Sequence, residues 1–101
     1  MKKVYICSPL RGNYEYNIQQ AKKYCREALF EGYIPIAPHI YFTQFLDDTN
    51  DTERRLGMKC GIELLDMCDE LWVYGEPSEG MKMEIEYFEE HYNRIIIYKG
   101  E

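Results

Sequence analysis

At 101 residues the chain holds one domain, close to the smallest size at which a single core folds alone, and its 46% hydrophobic content argues against disorder. A net charge of −6, with no stripe of Lys and Arg, argues against binding a nucleic-acid polymer. A small anionic ligand stays open, because it needs only one Arg and a helix amino terminus.

Ten tyrosines exceed what so small a core requires; they are read either as partly exposed core positions or as the lining of a cleft or subunit interface. Cys7, Cys25, Cys60 and Cys68 form no CxxC pair and no ligand-like spacing with His39 or His91, so they read as buried, reduced thiols of a cytosolic protein. Met1-Lys2-Lys3 leads directly into a short β-like run, and no apolar stretch approaches the roughly 20 residues of a membrane span.

Val4-Tyr5-Ile6-Cys7 opens the chain as a strand, closed by the turn-forming Ser8-Pro9-Leu10-Arg11-Gly12. From Asn13 to Phe30, Ile18, Ala21, Cys25, Ala28 and Leu29 recur at helical spacing, and Gly32 stops the helix. Tyr33–Ala37 reads as a second strand whose Pro35 places it at an edge. Pro38 to Asp51 reads as a polar, aromatic loop. Asn50 and Glu53 suggest a capping box opening a second helix to about Cys68. Leu71–Tyr74 is a third strand, Ser78 caps a third helix to about Tyr92, and Arg94–Tyr98 is a fourth strand. This β-α alternation predicts a single-domain, three-layer α/β fold of the flavodoxin or Rossmann type, with about four to five parallel strands in the order 2-1-3-4. In such sheets a ligand sits beyond the strand carboxyl ends where the order reverses. The loops Ser8–Gly12 and Gly75–Gly80 flank that crevice.

On the third helix, Met81, Ile85, Phe88 and Tyr92 form an apolar stripe at 100° per residue, and Glu84 falls on its flank. A carboxylate among apolar neighbours is either functional or reaches past them to water. Ser78 and Gly80 open that helix, where free N–H groups favour an anion, or serve only as a cap. Arg11 beside Gly12 suits a phosphate held by two parallel hydrogen bonds. His39 contacts a base or is a loop histidine bonded to backbone. Tyr41, Phe42 and Phe45 stack on a nucleobase or fasten the loop. Asp47-Asp48-Thr49-Asn50-Asp51 lacks the glycine and terminal Glu of a calcium loop and reads as a solvated turn; no metal or cofactor is expected.

Val4–Gly12, Cys68-Asp69-Glu70-Leu71-Trp72-Val73 and Ser78-x-Gly80-x-x-x-Glu84 together resemble the nucleoside 2-deoxyribosyltransferase superfamily, over nearly the whole chain. The resemblance is nearest to the deoxynucleoside 5′-monophosphate N-glycosidases and their small bacterial and phage relatives. It implies Glu84 as nucleophile with Tyr5 beside it. It also implies substrate contacts from Cys7, Ser8, Pro9, Leu10, Arg11, Gly12, His39, Ser78, Gly80 and Met81, with Arg11 and Ser78 at a 5′-phosphate. The implied reaction is cleavage of an N-glycosidic bond through a covalent sugar intermediate. Two positions depart from the family pattern. Gly61 stands where the family carries an Asp, and Ser8-Pro9 replaces Gly-Ser.

The expected partner is a small nucleoside or nucleotide, with neither polymer nor membrane, and the chain is expected to form a homodimer or higher homo-oligomer. The departures at Gly61 and Ser8-Pro9 support a second reading, a non-catalytic module that senses or sequesters a nucleotide-derived signal, cyclic or ADP-ribose-like. A third reading, an interaction protein with an aromatic face, fits less well with two helix starts arranged for anions.

Overall fold

The computed structural model describes residues 1–100. Four strands, β1 (Lys3–Cys7), β2 (Ile34–Ile36), β3 (Glu70–Tyr74) and β4 (Ile95–Gly100), form one parallel sheet in the order β2-β1-β3-β4. The connecting helices are α1 (Tyr14–Phe30), α2 (Pro38–Tyr41), α3 (Asp51–Asp66) and α4 (Glu79–His91). The predicted order is the observed one, and its reversal lies between β1 and β3.

Alternation along the central strands sorts the core into two layers. Val4, Ile6, Trp72 and Tyr74 face α1, where they meet Tyr24 and Ala28. Tyr5, Cys7, Leu71 and Val73 face the other way, onto Leu65 of α3 and Met81, Ile85 and Phe88 of α4. Val4 pairs with Pro35 and Tyr5 with Leu71, so the side chains that matter for the cleft are fixed by the sheet register. Pro35 sits on the edge strand, where a missing N–H costs no central ladder bond.

Local chemistry sets the boundaries. The end of α1 is a Schellman motif: the Tyr33 N–H donates to Ala28 and the Gly32 N–H to Leu29, with Gly32 at φ +94°. Asn50 caps α3 by accepting from the Glu53 N–H at 3.1 Å. The expected capping box is only half formed, because the Glu53 carboxylate turns away to the Asp47 N–H at 2.9 Å. Asp69 ties the starts of β1 and β3, accepting from the Lys3 N–H at 2.8 Å. Buried Glu70 is satisfied by the Trp72 indole at 2.9 Å.

Four further expectations change. Pro38 to Asp51 is not all loop, since Pro38 opens α2 at its first turn and a 3-10 turn follows over Phe42–Gln44. On α1 the buried stripe runs through Ala21, Tyr24 and Ala28, while Leu29 is exposed. Tyr24 replaces it because its ring stacks flat on Tyr74, centroids 3.8 Å apart, which a leucine cannot do. Tyr92 is only half-buried, with its hydroxyl turned to Asp66. All four cysteines are free thiols, but only Cys7 and Cys68 are buried; Cys25 and Cys60, on the helices that cover the sheet, stay half-buried. Among the described residues no helix is long and apolar enough to cross a membrane.

Candidate active site

A cleft of about 270 Å³ opens at the carboxyl ends of β1 and β3, where the strand order reverses. Its wall is built by the loop after β1, by α2, by the inward face of α3 and by the first turns of α4.

Glu84 lies within it. Met81, Ile85 and Phe88 anchor α4 to the sheet, and this fixes Glu84 on the helix flank that faces β1. The Tyr5 hydroxyl donates to Glu84 Oε2 at 2.5 Å, and the Cys7 thiol to Oε1 at 3.5 Å. Burial pushes the Glu84 carboxyl above its ordinary pKa, while the bonds from Tyr5 and Cys7 pull it partly back. Burial and the adjacent carboxylate hold the Tyr5 phenol well above 10, so it stays protonated and donates. The pair is therefore a buried carboxyl group with a permanent donor beside it.

Among the described residues the His39 ring has no backbone partner. It sits on α2, where its Nε2 lies 2.9 Å from Ser8 Oγ, and burial lowers its pKa to about 4. A neutral imidazole and a hydroxyl thus share one proton across the cleft wall. Arg11 reaches Asp48, with Nε 3.0 Å from Oδ2 and Nη2 3.2 Å from the carbonyl. Asp48 thereby belongs to the cleft rim, beyond the solvated turn assigned to it by sequence. Ser78 caps α4 by accepting from the Met81 N–H at 3.3 Å. An added Cβ at Gly80 would meet nothing within 4 Å, which leaves the helix start open to a ligand.

Of the residues singled out from sequence, Tyr5, Ser8, Leu10, Arg11, His39, Ser78, Gly80 and Glu84 share the cleft. Cys7 and Met81 lie beneath it in the core, and Pro9 packs near Gly75. Gly12, at φ +101°, turns the chain into α1. Tyr41, Phe42 and Phe45 pack edge-to-face on one another, and of the three only Phe42 reaches the cleft. Sequence reasoning singled out Gly61 only as a departure from the family pattern and missed the rest of the α3 wall, Gly57, Met58 and Ile62. The available signal was two glycines four residues apart in a helix, where each costs about 1 kcal/mol against Ala. A Cβ at Gly61 would come 3.6 Å from the Tyr5 hydroxyl, so the missing side chain leaves room beside the Tyr5–Glu84 pair. Among the described residues no cluster of three His, Cys, Asp or Glu side chains is placed to hold a metal.

This architecture is that of a deoxyribosyltransferase fold. The chain superimposes on a solved "2-desoxiribosyltransferase from Leishmania mexicana" with a TM-score of 0.70 and 15% identity, covering 99% of this chain and 65% of that one. Residues 2–98 match the family described as "Domain of unknown function (DUF7768)", and the chain belongs to that family. No curated protein matches it.

Proposed function

We propose that the protein cleaves the N-glycosidic bond of a nucleoside or (deoxy)nucleoside 5′-monophosphate, as a single deoxyribosyltransferase-like domain close to the monophosphate N-glycosidases. The observation that carries this reading is the Tyr5–Glu84 pair, 2.5 Å apart in a cleft at the strand reversal point. Glu84, as the carboxylate, attacks the anomeric carbon and the base departs with the bonding electrons, taking up a proton from solvent that the later hydrolysis returns. Water then attacks the sugar ester, which frees the carboxylate and gives the hemiacetal sugar. Tyr5 orients Glu84 and steadies its charge before the attack and again when hydrolysis returns it to the carboxylate. Arg11 and the open start of α4 take the phosphate, and the Ser8–His39 pair faces the base or sugar.

The reaction as written uses no cofactor or metal, and the site is proposed to work in the cytoplasm. We further propose a homo-oligomer. β4 is an edge strand with Ile95 and Tyr98 exposed, and a monomer by light scattering at micromolar concentration would remove that part of the proposal.

The test is a panel of nucleosides and 5′-monophosphates incubated with the purified protein, with free base followed by chromatography. Base released from the monophosphates in preference to the nucleosides supports the assignment. A folded protein that returns every member intact, while retaining one of them through dialysis, would instead support the sensing or sequestering module.

A further inference from the structure

Cys7 has no part in the steps above, yet it is bound to the group that carries them. Its Sγ lies 3.5 Å from Glu84 Oε1 and 4.0 Å from the Met81 carbonyl, while the Tyr5 hydroxyl lies 2.5 Å from Glu84 Oε2. Each carboxylate oxygen thus has its own donor. The two donors stand two residues apart on β1 and therefore on the same face of the sheet. Cys7 is buried beneath the cleft, out of reach of a ligand. Burial and the Glu84 charge push its thiol far above the ordinary range, so it remains an S–H donor. The shorter contact directs that proton to Glu84 and not to the Met81 carbonyl.

We propose that Cys7 is a positioning residue for Glu84, its S–H completing a two-donor clamp in which Tyr5 holds one carboxylate oxygen and Cys7 the other. This rests on Glu84 being the nucleophile. A thiol is a weak donor, so it partly offsets the cost of burying the carboxylate while leaving Oε1 richer in electron density than a hydroxyl would. The other ionisable groups around the cleft are engaged elsewhere or stand on other walls. Arg11 is paired with Asp48 and His39 with Ser8, while Glu53 and Arg54 belong to α3. Among the described residues only Tyr5 and Cys7 donate to Glu84.

The experiment compares wild type with Cys7→Ser and Cys7→Ala. It reads the acid limb of kcat for base release and the carboxyl-carbon NMR titration of Glu84 in the ligand-free protein. Removing the donor in Cys7→Ala should move the Glu84 midpoint to higher pH. It should also lower kcat on the acid limb about three- to tenfold with KM little changed. Cys7→Ser supplies a stronger donor and should move the midpoint to lower pH. Packing alone does not produce shifts of opposite sign. Midpoints that move the same way in both variants, or do not move, overturn the proposal. If wild type releases no base, the NMR titration still decides the role of Cys7, and only the assigned activity fails. If base release depends on Glu84 while its midpoint ignores Cys7, only this inference fails. Should Cys7→Ala not fold, the Cys7→Ser shift alone decides.

Discussion

Replacing Tyr5 by Phe deletes one oxygen and leaves the ring in the core, so it isolates the 2.5 Å bond to Glu84. A hydrogen bond to a charged group is worth about 1.5–3 kcal/mol, against about 0.5–1.5 for a neutral one. Glu84 already has a raised pKa in the folded protein, caused first by burial. A carboxyl whose folded pKa lies above its unfolded one contributes stability at low pH, and that contribution is lost as pH rises from the unfolded to the folded value. Tyr5→Phe raises the folded value further and widens that window. The variant should therefore lose only about 0.5–1.5 kcal/mol at pH 4, where the carboxyl is mostly neutral in both states. At pH 8 it should lose about 2 kcal/mol, or roughly 10 °C in Tm for a domain of this size. The same change should lower base release about 10- to 100-fold at pH 7 and move its acid limb upward. Calorimetric melts at the two pH values, beside a pH-rate profile, check both parts. An equal loss of Tm at pH 4 and pH 8 would mean that the bond does not distinguish carboxylate from acid.

Arg11→Ala should weaken binding of a 5′-monophosphate at least tenfold relative to its nucleoside, measured by calorimetric titration. Tm should barely change, since the Arg11–Asp48 pair is exposed and such pairs contribute about 0–1 kcal/mol. Gly61→Ala should raise stability by about 0.5–1 kcal/mol in denaturant melts. The new Cβ meets the Tyr5 hydroxyl at 3.6 Å and Pro38 at 4.0 Å, ordinary contact distances, so the helix gains without strain.

The architecture was legible because it is periodic. Strands such as Ile95-Ile96-Ile97 and helices such as α4 announce themselves by spacing, and their alternation leaves few topologies. The same wheel placed Glu84 at the margin of an apolar stripe, which is where the structure puts it. Helix α2 escaped because four residues are too few for a period to register, although Pro38 marked its start. The partners of the cleft residues were less visible still. Ser8 meets His39 across 31 residues and Arg11 meets Asp48 across 37, and no local rule links such positions. Tyr24 was passed over for Leu29 because a wheel scores hydrophobicity, whereas the packing there rewards a flat ring against Tyr74. Glu53 was assigned to its cap by motif, but the Asp47 N–H competes for the same carboxylate.

Whether Glu84 is the nucleophile is decided by comparing base release by wild type and Glu84→Gln on the best substrate of the panel. Glutamine keeps the shape and can still accept the Tyr5 hydrogen bond, so ligand affinity should stay within a few-fold, while release should fall roughly 10³-fold or more. Equal rates of release from the two proteins would mean that Glu84 is not the nucleophile.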